Sequence, residues 1–144
     1  MGKLTQRLTD AARSGAYRAP RAEEIMDAAR GTRLDLVRVD LGAAPDKAAL
    51  LDRLAQALGF PAWFGGNWDA LEDCLTDLSW RAGEGHVFLL EGHGELPADD
   101  LGVLIDVLAS AAEYWAGRGK PFFAVFIDPG GALGLAALFR RKSA

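Results

Sequence analysis

The sequence predicts a single α/β domain built on a small, three-stranded parallel sheet packed with helices, and three observations carry that prediction. Residues 34–41, 86–91 and 121–128 are short runs rich in Val, Leu, Ile and Phe, the content of half-buried or buried strands. The stretches between them are long and repeat their apolar residues at helical spacing. Strands joined by long helical crossovers pair in parallel, whereas an antiparallel pair needs only a tight turn. With 144 residues, one domain is expected. A chain of that length can bury a core without disulfides or metals.

The elements follow in order. Residues 1–33 read as an N-terminal extension, with a short strand around Tyr17 and a short helix over 21–30 that Gly31 ends. The main domain spans 34–129 and begins with the strand at 34–41. Asp46 is placed to cap a helix over 47–58, where Leu50, Leu51, Leu54 and Leu58 recur on one face. Gly59 stops that helix and Pro61 follows. Residues 60–66 form a loop, and Asn67 caps a second helix expected to run to about residue 78. After the strand at 86–91, a long helix starts near Asp99 and reaches about residue 118. Leu101, Leu104, Ile105, Leu108, Ala112 and Trp115 form its apolar stripe, and Gly119 ends it. The strand at 121–128 closes the domain. Residues 130–144 read as a tail with an apolar patch and a solvated basic end, Arg140-Arg141-Lys142.

Composition narrows the function. The net charge of -4 argues against nucleic acid as a direct ligand, because phosphate binding needs a basic surface. It permits a basic protein as partner. Cys74 is the single cysteine, so no internal disulfide forms, which fits a reducing compartment. No apolar run reaches the roughly 18 residues of a membrane span, and the polar start lacks the apolar stretch of a signal peptide. The expectation is a cytoplasmic protein with no membrane contact. No cofactor or metal is expected. His86 and His93, with Glu91 and Glu95, match no ligand spacing, and the glycines after Pro129 complete no dinucleotide loop.

The second helix carries the chemistry. At about 100° per residue, Trp68, Leu71, Cys74, Leu75 and Leu78 gather on one side. Asp69, Glu72, Asp73, Thr76 and Asp77 gather on the other. Asp69 and Asp73 are neighbours at (i, i+4), and Asp73 and Asp77 repeat the spacing. Such like pairs repel by roughly 0.2–0.5 kcal/mol each. The helix dipole favours Asp69 but opposes Asp77. No Lys or Arg lies between Arg53 and Arg81 to compensate. The preceding loop adds Trp63 and Phe64 between Pro61 and Gly65-Gly66. Aromatic anchors beside carboxylates have the composition of an interface hot spot. On composition alone, a solvated helix face beside core-directed aromatics weighs the same.

Residues 60–76, Phe-Pro-Ala-Trp-Phe-Gly-Gly-Asn-Trp-Asp-Ala-Leu-Glu-Asp-Cys-Leu-Thr, resemble the signature stretch of the barstar family, inhibitors of small secreted bacterial ribonucleases. The order of elements over 34–128 is similar to that family's three-stranded parallel sheet with its helices. The resemblance implies that this loop and helix plug the enzyme's active site. It implies that Asp69 and Asp73 are interface aspartates, that Trp63 is the aromatic of the inhibitory loop, and that Gly65 and Asn67 shape the approach. Cys74 matches a cysteine of the binding helix. Glu72 stands where the best-known member has tryptophan, and Gly66 where it has an acid. The partner-binding set expected is therefore Trp63, Phe64, Gly65, Asn67, Asp69, Glu72, Asp73 and Asp77. Glu113 is the nearest counterpart to a further acid on the family's last helix, with Tyr114 as the alternative.

Three functions follow in order: an inhibitor or immunity protein blocking a basic nuclease, a non-inhibitory module docking a basic partner, and a hydrolase using the acidic pair. The third lacks what separates two carboxylate pKa values, since both acids lie on an exposed helix face. No catalytic residue is expected.

Overall fold

The three apolar runs pair side by side, and a fourth strand joins them. The computed structural model describes residues 2–42 and 44–139. Its strands are β1 (Gly15–Ala19), β2 (Leu34–Asp40), β3 (Gly85–Glu91) and β4 (Phe122–Ile127). They form one sheet of order β1-β4-β3-β2, and every neighbouring pair is parallel. The helices are α1 (Lys3–Leu8), α2 (Glu23–Ala29), α3 (Lys47–Leu58), α4 (Trp68–Leu75) and α5 (Ala98–Ala116).

The expected three-stranded sheet is corrected to four. Gly15–Ala19 lies against the outer side of β4, with Gly15 opposite Phe123 and Ala19 opposite Ile127. Backbone and side chain fasten both ends of this pairing. The Phe122 N–H donates to Ser14 Oγ at 2.9 Å, and the Asp128 N–H donates to the Ala19 carbonyl at 2.8 Å. The tail then reaches the free side of β1. The Arg18 N–H donates to the Ala136 carbonyl and the Leu138 N–H to the Arg18 carbonyl, both at 2.9 Å. Leu138 is fully buried. The basic end, Arg140-Arg141-Lys142, lies outside the described residues.

Helices cover both faces, so β3 and β4 are buried on both sides, and this is why they read as continuous apolar runs. Alternation divides each strand between two cores. Phe88, Leu90, Phe122, Ala124 and Phe126 face α3, α4 and α5, with Leu50, Leu54, Leu71, Leu75, Leu104 and Leu108. Val87, Leu89, Phe123 and Val125 face α1 and α2, with Leu8, Ile25 and Leu138. The segment before Leu34 thus supplies the edge strand and the helices of the second core.

The predicted caps form. Asp46 accepts from the Ala49 N–H at 2.9 Å, and Asn67 from the Ala70 N–H at 2.7 Å. Gly59 ends α3 at φ 66°, in the left-handed region. α4 ends at Leu75, earlier than the expected residue 78. The Cys74 carbonyl accepts from both Asp77 and Leu78 N–H, and Leu78 turns left-handed at φ 51°. Asp77 therefore sits beyond the helix rather than on its polar face. Among the described residues, no helix is long and apolar enough to cross a membrane.

Candidate functional site

The loop at 60–66 leaves α3 and delivers the chain to α4. It starts with a turn in which the Phe60 N–H donates to the Ala55 carbonyl at 2.9 Å. The aromatics then divide by depth. Phe60 and Phe64 are half-buried against the first core, edge to face with centroids 5.0 Å apart. Trp63 stays outside, 57% exposed, where burying its ring would have been favourable. Gly66 adopts φ 69°, a conformation that any side chain would strain. A Cβ on Gly65 would make only ordinary contacts with Asn67 and Ala70.

On α4 the sides separate as the spacing predicts. Leu71, Cys74 and Leu75 are fully buried, and Trp68 packs half-buried beside them. Asp69 and Asp73 are exposed and Glu72 is half-exposed. Among the described residues, no cation pairs with Asp69, Glu72, Asp73 or Asp77. Asp77 turns its carboxylate to the Ser79 N–H at 3.3 Å, in the turn after the helix. Burial, and then the nearby charges of Asp77 and Asp73, push the Cys74 thiol up to about 11, so it remains protonated and inert. The structure thus brings Trp63, Phe64, Gly65, Asn67, Asp69, Glu72 and Asp73 onto one loop and helix, with Asp77 at the exit. Glu113 is exposed on α5; it is Trp115 that reaches α4, its indole N–H donating to the Leu75 carbonyl at 2.8 Å.

Sequence reasoning missed the groups behind the loop. Leu58 closes α3, so its carbonyl has no partner inside the helix. The Trp80 indole N–H and one Arg81 N–H both donate to it, each at 3.0 Å. Arg81 also grips Asp35 on β2 with two bonds of 2.6 and 3.0 Å. His86 on β3 is fully buried, and its Nδ1 lies 2.8 Å from the same carboxylate. Burial opposes ionisation of Asp35, but the hydrogen bonds and charges of Arg81 and His86 outweigh it and hold the carboxyl below its ordinary value. Burial lowers the pKa of His86 against the pull of Asp35. An ionised carboxylate can only accept, so Nδ1 is the ring nitrogen that carries a proton toward Asp35. The available signal was a histidine opening an apolar strand, a position that demands a polar partner.

Two comparisons place this arrangement. The family model described as Barstar (barnase inhibitor) matches residues 34–127, well over half of the chain. The chain belongs to the barstar family, a family of inhibitors. Its strand β1 and helices α1 and α2 precede the matched stretch. Among solved structures, the Aeropyrum pernix ORC2 protein in its ADPNP–ADP complexes is similar over 85% of this chain, with a TM-score of 0.52 and 15% identity. The chain spans only 39% of that protein, and at such identity the similarity shows the fold alone. Among curated proteins, none matches.

Proposed function

We propose that this protein is a cytoplasmic inhibitor or immunity protein that binds a basic nuclease, a ribonuclease or nuclease toxin, and blocks its active site with α4 and the loop at 60–66. One observation carries the reading: Trp63 stands more than half exposed ahead of a helix whose exposed carboxylates have no counter-charge among the described residues. A nuclease must present Lys, Arg and His to hold phosphate. Asp69 and Asp73 placed there would pair with those groups through charge-assisted hydrogen bonds. Glu72 and Asp77 widen the negative field, which speeds encounter with a basic enzyme. Trp63 supplies apolar contact area, while Phe64, Gly65 and Asn67 shape the loop and the helix start beneath it.

The family description names barnase as the target of that inhibitor, which makes barnase the first enzyme to test. Titrating it with this protein should abolish ribonuclease activity stoichiometrically, and association should slow as salt rises while dissociation changes less. Nucleases captured from the source organism form the second arm. Binding without inhibition would select a non-inhibitory module that docks a basic partner. Failure to bind any basic nuclease would overturn the inhibitor reading.

A further inference from the structure

The exposed indole of Trp63 rests on a residue outside the loop. After α4 the chain turns left-handed at Leu78, and the Arg81 N–H closes the turn on the Leu78 carbonyl at 3.0 Å. This turn brings Trp80 back under the end of α3, where the loop begins. The Trp80 ring meets Phe60 edge-on at 5.9 Å and 84°, and meets Trp63 edge-on at 6.4 Å and 83°. Both separations lie in the range that edge-to-face aromatic pairs prefer. Its indole N–H is spent on the Leu58 carbonyl, so the ring plane is fixed by a hydrogen bond as well as by packing. Arg81 takes the other lone pair of that carbonyl and is itself held by Asp35, which ties the seat of the ring to the sheet.

We propose that Trp80 is the positioning residue of the loop at 60–66, holding Trp63 outward in the orientation used for docking. This rests on the reading of that loop as a docking surface. Without Trp80, Trp63 loses its only aromatic neighbour among the described residues and the Leu58 carbonyl loses one of its two donors. The loop would then sample conformations whose ordering must be recovered on binding.

Trp80→Phe keeps the ring contacts and removes the N–H; Trp80→Ala removes both. Amide exchange read without any partner should speed up in residues 60–66 by about tenfold in Trp80→Ala and by less in Trp80→Phe, with α4 and β3 as protected as in the parent. In a cycle with barnase as probe, Trp80→Ala should weaken binding by about five- to tenfold in the parent and add nothing in the Trp63→Ala background. Unchanged loop exchange, or a Trp80 effect that persists without Trp63, overturns the proposal. If Trp80→Ala does not fold, Trp80→Leu, which removes the aromatic ring but keeps apolar volume, carries the same comparison. If Trp63→Ala binds barnase as well as the parent, the docking reading fails instead; if the parent does not bind barnase, the cycle is run with a captured basic nuclease, and loop exchange decides whether Trp80 orders the loop.

Discussion

Asp73 lies one turn beyond Asp69 on the exposed side of α4, too far from Asn67 to help cap the helix. Its carboxylate has no cation among the described residues, so removing it takes away only repulsion with Asp69. Asp73→Ala should therefore melt in urea within about 0.5 kcal/mol of the parent. If the carboxylate replaces a phosphate, the same change leaves partner cations buried and unpaired, and calorimetry should show a loss of about 2–5 kcal/mol in binding. An unfolded variant, or a folded one of unchanged affinity, would remove Asp73 from the interface. Cys74, one position on, tests the opposite face. It is fully buried, and burial raises its thiol pKa to about 11, which keeps it protonated. Cys74→Ala should cost about 1 kcal/mol of stability and leave binding intact; a folded variant that has lost binding would contradict its place in the core.

Elements were legible where their signals are local. Asp46, Gly59 and Asn67 mark helix ends through their own side chains or backbone freedom, and these ends fall where expected. β3 and β4 show as apolar runs because both their faces are covered. β1 was only half legible: Gly-Ala-Tyr-Arg-Ala has no apolar run, and its place depends on pairing with residues more than a hundred positions later. The end of α4 escaped because Leu78, not a glycine, takes the left-handed turn. The acidic face could be anticipated from spacing, whereas composition left Trp63 evenly divided between surface and core. Trp80, Arg81, Asp35 and His86 could not, since no spacing says which carbonyl or carboxylate a distant side chain will meet. This edge strand carries its own prediction. Deleting residues 2–33 would bare the edge of β4 and uncover Val87, Leu89, Phe123 and Val125. An unpaired edge beside an uncovered apolar face favours association. The truncated protein should scatter light on purification and lose a cooperative urea transition. A monomeric fragment with the parent's midpoint would show that β1, α1 and α2 are dispensable to the fold.

Across the whole molecule, the buried Asp35–Arg81–His86 cluster links stability to pH. His86 is fully enclosed, with Phe88, Trp115 and Phe122 around the ring, and its Nε2 meets no partner among the described residues. The charged groups that bear on it are Asp35 from β2, Arg81 from the segment after α4, and Lys120 before β4. Asp35 favours a proton on the ring, but burial and the two cations disfavour it, so the folded pKa lies below the ordinary 6.5. The unfolded chain then binds the proton more readily than the folded one. Stability is complete above the ordinary histidine value and is lost as pH falls through the folded pKa, with a slope of at most about 1.4 kcal/mol per pH unit. Asp35 acts in the same direction lower on the scale: its carboxyl is held below 3.8, so its share is lost only in stronger acid. The two losses begin at different pH, that of His86 below the ordinary 6.5 and that of Asp35 below 3.8, and so can be told apart by their onsets. Urea melts from about pH 7.5 to about pH 5 should show declining stability in the parent. In His86→Gln, whose amide can still donate to Asp35, that decline should flatten while the loss in stronger acid remains. Equal slopes in the two proteins across the upper window would mean that another group takes up the proton, and that His86 is buried without cost to stability in mild acid.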